Sequence, residues 1–553
     1  MSLPLIPAPA HHAPQEGTFQ VRTGTPVVAE PTEIVAVARQ FIEDARADTG
    51  IELEATPPSP APAIVVEFGD TTLDSVAPAT GARADRLSAG DLVDERYGIT
   101  ITPHGVRIWA TTTEGVHRGL TSLRQLIATH ARDGLASLPA LTILDGPRFA
   151  WRGLSVDVVR TFHGPDTVRR VIDMCSLHKV NVLHLHLTDD QGWRVEVPSR
   201  PELTGIGAAG AVDDRPGGFY TRAELSELVA YAAARFVTIV PEIDMPGHTG
   251  AIFRSYPELA PAHPVTSEHS GGLAIGTLDH ERPETWRFVE DVLDAVIPQF
   301  PQSAYLHIGG DEAFGMADEA HAAFVERVTE LVRARGRRVL GWQEIARAAL
   351  SSDETVQYWM DTRDIDSMAN NDTLKSMVPP EYMPLITEAL AHAEHDVPRA
   401  LAMGATLLIS PTSRLYFDRP HAHASLAGEQ EDMRARVGLR VYPALSLRDG
   451  VEWDPITDTP GISEESSVAG VEAAIWCETI TNRDELEFML LPRLSGLAEK
   501  AWATAGPTEW APYAERLAAQ SAIWDARGWN WFASDEVPWQ RTPTPNPTTE
   551  KAQ

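Results

Sequence analysis

After Asp145-Gly146-Pro147 the chain settles into eight short apolar runs separated by longer stretches with helical spacing, a rhythm that leaves few folds open to it. The runs are Gly153 to Val158, Val180 to Leu187, Phe236 to Ile243, Ala304 to Ile308, Arg338 to Trp342, Thr355 to Trp359, Ala405 to Ile409 and Val471 to Trp476. Strands alternating with helices are the sequence form of repeated βα units, and eight such units predict a closed (β/α)8 TIM barrel.

In a barrel of this kind the chemistry occupies the C-terminal ends of the strands. Here the runs end near Asp157 and Arg160, Asp189-Asp190, Asp244 with His248, Asp311-Glu312, Trp342-Gln343-Glu344, Trp359-Met360-Asp361, Tyr416-Phe417-Asp418 and Trp476-Cys477-Glu478. A carboxylate recurs at every one. An isolated Asp-Glu pair in an acidic protein is most often a solvated surface feature, and recurrence at the other strand ends sets Asp311-Glu312 apart. Gly309 and Gly310 just before it permit close backbone approach. Successive residues leaving a strand point to opposite sides, so the two carboxylates can address different atoms of one bound sugar. Paired carboxylates are the usual equipment for cleaving glycosidic bonds. Strand-end tryptophans Trp342, Trp359 and Trp476 offer faces for a pyranose, while Arg152, Asp418 and Glu478 offer charge-assisted hydrogen bonds to its hydroxyls. Each tryptophan, taken singly, reads equally well as buried core.

Ahead of the barrel, residues 18–146 predict a small α+β domain. Ala63 to Phe68 and Tyr97 to Thr102 read as strands, and Pro31 to Thr49 and Gly115 to Ala131 as helices. It carries no catalytic constellation. The first 17 residues, rich in proline and alanine, and the Pro/Thr-rich stretch 531–553 read as flexible ends, leaving 147–530 for the barrel. Inside it, Asp361 to Gly404 is a long insertion with a predicted helix to about His395, either a lid or subunit contact on the catalytic face or a tolerated excursion.

At 553 residues the chain exceeds one ordinary domain. No stretch approaches the roughly 18 apolar residues of a membrane span. A formal charge of −32 excludes nucleic acid and anionic membrane as partners, since both require a positive field. Cys175 and Cys477 cannot build a disulfide framework, and Met1 to Pro7 lacks a basic segment leading into an apolar core, so a cytoplasmic location is expected, or a secreted one if a leader has been trimmed away. Oligomeric state is not legible.

The segments Pro147-Arg148-Phe149-Ala150-Trp151-Arg152-Gly153, His184 to Trp193, Gly217-Gly218-Phe219-Tyr220-Thr221, Pro241 to His248 and His307 to Glu312 closely resemble the β-N-acetylhexosaminidases of glycoside hydrolase family 20. The likeness extends over roughly residues 147 to 505, and the preceding domain looks more loosely like the one that commonly precedes that barrel. The resemblance implies exo-acting, retaining, substrate-assisted cleavage of terminal β-linked GlcNAc or GalNAc from a small glycan, with no metal and no cofactor. In that scheme the substrate's acetamido oxygen attacks the anomeric carbon, an exception to the two-carboxylate retaining pattern. By the same resemblance Glu312 is general acid and base, Asp311 holds the acetamido N–H, and Tyr416 bonds the acetamido oxygen. Asp189 and His248 stand behind Glu312. Trp342, Trp359 and Trp476 enclose the acetamido group, Arg152, Asp418 and Glu478 grip hydroxyls, and Trp453 stacks on the leaving group.

Two other classes fit parts of the pattern. His184-Leu185-His186, His248, His307 and Asp311 are ligand-type residues near strand ends, as in metal-dependent amidohydrolases. That class, however, normally places His-x-His after the first strand, and no lysine falls near mid-barrel to bridge metals. A non-catalytic sugar-binding protein would use the same hydroxyl-gripping groups but has no need of the Asp311-Glu312 pair.

Overall fold

The computed structural model describes residues 3–57, 62–69, 73–88, 90–261, 265–267, 273–361 and 383–540. Its first part is a twisted sheet of β1 (His11–Arg22), β2 (Pro26–Glu30), β3 (Glu54–Ala55), β4 (Ile64–Phe68), β5 (Tyr97–Thr102), β6 (Gly105–Ala110), β7 (Ala131–Arg132) and β8 (Leu135–Asp145). The strand order is β1-β8-β5-β6-β4-β2-β3, with β7 paired to β8. Helices α1 (Val35–Thr49) and α2 (Thr113–His130) pack on the sheet. The Thr112 hydroxyl opens α2 by accepting from Gly115 N–H at 3.0 Å, satisfying a donor that has no partner within the helix.

The second part is the expected barrel. Strands β9 (Trp151–Asp157), β10 (Val182–His186) and β11 (Thr238–Glu242) are followed by a hairpin of β12 (Val265–Ser267) and β13 (Leu273–Ile275), which lies off the barrel. The ring continues through β14 (Tyr305–His307), β15 (Arg338–Trp342), β16 (Thr355–Tyr358), β17 (Thr406–Ile409) and β18 (Val468–Ile475) and closes onto β9, every pairing parallel. Alternation along the strands sorts the side chains. On β10, Leu183 and Leu185 join the core beneath the helices, while His184 and His186 meet the carboxylates Glu242 and Glu472 of other strands. The lower interior is apolar, formed by Trp151, Val182, Val240, Tyr305, Leu340 and Leu408, with Ala84 of the small domain packed among them.

That alanine belongs to a segment that seals the barrel floor. Ala82 N–H donates to Ala469 O at 3.0 Å, and Ala84 O accepts from Ala304 N–H at 2.7 Å. Beside it, Glu95 receives Arg83 at 3.2 Å, Arg118 at 2.8 Å and Arg152 at 2.6 Å. These three guanidiniums outweigh burial and hold the Glu95 carboxyl well below the usual carboxylate range.

Both chain ends depart from expectation. The first 17 residues are not a flexible leader: Leu5 and Ile6 are buried, Ile6 exchanges two hydrogen bonds with the Gln125 amide at 2.9 and 2.7 Å, and β1 begins at His11. Proline cannot donate, so side chains of α2 and of the helix Arg493–Trp502 satisfy this segment in place of a neighbouring strand. At the other end Trp531, Phe532 and Ala533 are core residues, so the packed chain runs past 530, while 541–553 lie outside the described residues. Of the insertion, 362–382 likewise lie outside them. Its helix, Met383–Ala402, continues beyond His395 through Pro398. Buried Val397 and Ala400 compensate the backbone bond that a proline forfeits. No helix among the described residues is long and apolar enough to cross a membrane.

Candidate active site

The chain leaves β14 through Gly309 (φ 67°) and Gly310 (φ 94°). A Cβ on Gly309 would lie 1.7 Å from Asp244 Oδ1, so only glycine lets this turn pass. The turn is fastened by His321 Nε2 to Gly310 O at 2.7 Å. Glu312 itself is left-handed (φ 46°), as is His248 (φ 52°). Such non-glycine conformations cost on the order of 1 kcal/mol or more and persist where the surroundings fix them.

Both carboxylates converge on one imidazole. His248 Nε2 lies 3.5 Å from Glu312 Oε2 and 3.7 Å from Asp311 Oδ2, and its Nδ1 lies 3.2 Å from Asp189 Oδ1. Asp189 in turn meets His186 Nε2 at 2.8 Å and Arg160 Nη2 at 2.7 Å. Burial opposes charge on His248, but Asp189 and Asp244 outweigh it and hold the ring well above the ordinary imidazole value. Burial also pushes Asp189 up, and Arg160 and His248 overcome it, keeping this carboxylate ionised well below its usual range. Asp311 goes the other way: burial first, then the charges of Asp244 and Glu312, raise it well above an ordinary aspartate. Its Oδ1 has no hydrogen-bond partner among the described residues.

Next to Asp311 stands an aromatic box. Trp359 stacks on Tyr416 at 6.3 Å between centroids and 9° between planes, Trp342 lies 5.8 Å from Trp476, and Tyr416 meets Trp476 edge-on at 6.1 Å. Two tryptophans are pinned through their N–H groups, Trp342 to Glu242 Oε1 at 2.8 Å and Trp359 to Glu344 Oε2 at 3.0 Å. Burial and the charge of Asp311 push Glu344 up to about 8, so it is a mostly neutral acid at pH 7. At the rim, buried Asp418 and half-buried Glu478 have unpartnered oxygens among the described residues, and burial together with Glu478 raises Asp418 to about 8. The Arg160 guanidinium sits 5.2 Å over the Trp476 ring. Its Nε and Nη1 have no hydrogen-bond partner among the described residues. A cavity of about 450 Å³ adjoins Glu312 and Glu344, walled by Phe314, Met316, Arg347 and, from the insertion helix, His392.

Of the residues singled out from sequence, Glu312, Asp311, His248, Asp189, Tyr416, Trp342, Trp359, Trp476, Asp418 and Glu478 come together here; Arg152 and Trp453 do not. Arg152 is the second residue of β9, so its side chain lies at the barrel floor on Glu95, 1% exposed, where no substrate reaches it. The arginine at the site is Arg160, just beyond the other end of the same strand, and strand polarity alone distinguishes the two. Trp453 is 1% exposed, donates to Gly450 O at 3.0 Å and packs in the outer core with Val451 and Ile456, so it has no free face for a leaving group. Tyr442, edge-on to Tyr416 at 5.9 Å, and Glu344 as anchor of Trp359 were not anticipated. Tyr442 lies in a loop where no periodicity points to it.

At His186 the donor chemistry counts against the metal reading. His186 places both ring nitrogens on carboxylates, Glu242 at 2.7 Å and Asp189 at 2.8 Å, and these outweigh burial to hold its proton well above the ordinary value. A protonated imidazole has no lone pair for an ion.

Comparison with known proteins gives the same picture. Residues 149–393 and 384–505 match the family described as Glycosyl hydrolase family 20, catalytic domain, and residues 2–146 match its domain 2. The chain belongs to this family and is a glycoside hydrolase. Among its relatives, a β-N-acetylhexosaminidase of Cellulomonas fimi is 38% identical over 82% of this chain and 83% of that protein. An N-acetyl-β-hexosaminidase of Streptomyces plicatus, solved with Thio-NAglucal, superimposes with TM-score 0.79 at 34% identity, covering 97% of this chain and 98% of the other. The family 20 enzyme of Streptomyces coelicolor A3(2) gives TM-score 0.78 at 33% identity, covering 97% and 99%.

Proposed function

We propose that this enzyme is an exo-acting β-N-acetylhexosaminidase that releases terminal GlcNAc or GalNAc with retention of configuration, the substrate's own acetamido group serving as nucleophile. The observation carrying this reading is the aromatic box beside a buried carboxylate. Trp342, Trp359, Tyr416 and Trp476 make an apolar recess suited to an acetyl methyl, and Asp311 offers an unpartnered oxygen to the amide N–H next to it. A pocket for a plain hydroxyl at that carbon would need polar walls instead.

In this mechanism Glu312 gives its proton to the glycosidic oxygen as the bond to the anomeric carbon breaks and the acetamido oxygen bonds to that carbon. The result is an oxazolinium and a free alcohol. Asp311 takes the N–H hydrogen bond and opposes the positive charge that develops on the ring, while Tyr416 steadies the acetamido oxygen. Glu312, now a carboxylate, withdraws a proton from water, which adds to the anomeric carbon and reopens the ring. His248, charged and backed by Asp189, stabilises Glu312 in that carboxylate phase. Arg160, Asp418 and Glu478 hold ring hydroxyls, and the cavity walled by Phe314 and His392 receives the departing part of the glycan.

Hydrolysis of an aryl N-acetyl-β-glucosaminide, set beside the matching glucoside, tests the proposal. Release from the first and not the second is expected. Brisk cleavage of the glucoside, or a covalent ester trapped on any side chain, would overturn it.

A further inference from the structure

At the C-terminal end of β11, one buried carboxylate joins two parts of the site that the chemistry uses for different purposes. Glu242 Oε1 accepts the Trp342 indole N–H at 2.8 Å and lies 3.0 Å from His307 Nδ1. Its Oε2 lies 2.7 Å from His186 Nδ1 and 3.1 Å from His184 Nε2. From His186 the line of contacts continues to Asp189, His248 and Glu312, at 2.8, 3.2 and 3.5 Å. In the other direction His184 Nδ1 reaches Glu472 at 2.9 Å, and Glu472 takes the Trp151 indole N–H at 2.8 Å. Glu242, His184, Glu472 and His307 are fully buried.

Barrel interiors are normally filled by layers of branched apolar side chains. A polar core like this one costs desolvation that well-packed hydrophobic residues would avoid. We propose that Glu242 is a positioning residue that ties the pocket wall at Trp342 to the acid–base line ending on Glu312, so that seating the acetamido group and transferring the proton are coupled. The proposal rests on the N-acetylhexosaminidase reading above. A carboxylate has a limited capacity to accept, and hydrogen bonds that share it polarise one another. Tightening or losing the indole bond on one oxygen therefore alters how firmly the other holds His186, and through it Asp189 and His248. Burial pushes the Glu242 carboxyl up, yet the imidazoles of His307, His186 and His184 outweigh it and keep it well below its usual range. Other charged groups face this line: Asp244 from the end of β11, Asp311 beyond β14, Glu472 of β18, and Arg160, which balances Asp189.

Trp342 does not titrate, which makes it the clean handle. Trp342→Phe keeps a ring in the wall and removes the donor to Glu242 together with part of the indole's area; the lost area acts on binding, and the pH profile reports the lost donor. The pH profile of kcat/KM for a disaccharide with a sugar leaving group, whose release needs the proton, should move along one limb by on the order of half a pH unit in this variant. When it is combined with His186→Gln, the fold-losses in kcat/KM should fail to multiply by about fivefold, as for groups sharing one network. A Trp342→Phe profile that superimposes on wild type, or losses that multiply within about twofold, overturns the coupling; if His186→Gln does not fold, the Trp342→Phe profile decides alone. Inactivity of the wild-type enzyme on the disaccharide and on its aryl analogue would instead refute the functional reading beneath it.

Discussion

The two ends of the barrel are oppositely balanced in charge, the floor sealed and the mouth partly open. At the floor, Arg83, Arg118 and Arg152 close on Glu95, while Lys179 lies 3.2 Å from Asp145. At the mouth, Asp311, Asp418, Glu478 and Glu344 have Arg160, His248, Arg347 and Arg419 near them, yet burial raises each of the four carboxyls. The difference separates two uses of buried charge. The floor pairs it to fix a joint between domains, and the mouth leaves acceptors open for a ligand at the expense of stability.

The sharpest contrast comes from one substitution at each end. Glu312→Gln should lose about 10²- to 10⁴-fold in turnover of substrates with poor leaving groups, while its thermal midpoint stays near that of wild type. Arg152→Ala should do the reverse, with kcat/KM per folded molecule unchanged and a fold destabilised by about 3–5 kcal/mol, because a buried ion pair is broken and the Lys179 and Phe149 carbonyls lose their donor, although Arg83 and Arg118 still face Glu95. Denaturant unfolding and active-site titration of both variants check this, and an active-site defect in Arg152→Ala would break the distinction between the ends.

Asp311→Asn should also be severe, losing about 10²- to 10³-fold even with activated aryl leaving groups, which need no proton but still develop charge at the acetamido nitrogen. The pH dependence has a definite sign. In the proposed mechanism Asp311 must be ionised to oppose that charge, and its proton is held well above the ordinary value, so kcat/KM should fall as pH drops through that raised value. This acid limb should vanish in the asparagine variant.

Arg160→Gln tests the corrected assignment. Losing a guanidinium that pairs with Asp189 and is proposed to hold the ring hydroxyls should cost about 10- to 100-fold in kcat/KM, a larger effect on catalysis than Arg152→Ala. Equal effects of the two on kcat/KM would sink the correction.

The smallest effect concerns stability at the mouth. Asp418 titrates near 8 in the folded protein against roughly 4 unfolded, so its neutral form contributes stability that is full below about pH 4 and gone above about pH 8. Asp418→Asn, which cannot ionise, should therefore raise the thermal midpoint by about 1–2 °C at pH 9 and not at pH 4, with activity lost at both. Differential scanning calorimetry at the two pH values measures it.

Much of this was legible in the sequence because the signals were repeated. Eight apolar runs each ending in an acid are hard to obtain without a barrel, and the observed strands fall within or close to the expected runs, with Arg338–Trp342 matching end to end. Trp342 ends its strand, Trp359 and Trp476 follow theirs directly, and Asp311 and Glu312 come within five residues of β14, so knowing the strand placed the side chain. Arg152 failed because residue type was weighed without strand polarity. Trp453 failed because an aromatic in a loop packs inward as readily as it faces a ligand, and only burial tells which. The ordered N-terminus was hidden because its partners, Gln125 and Glu499, are far away in sequence.

The segment 82–84 has a consequence for anyone who would move this enzyme's parts. Because another domain supplies the lowest piece of the interior, the eight-stranded unit has no finished underside of its own, and a cut at residue 146 would open it to water. Chimaeras and minimal catalysts built on this scaffold should therefore inherit its first half-sheet as an integral part of the barrel rather than as an accessory.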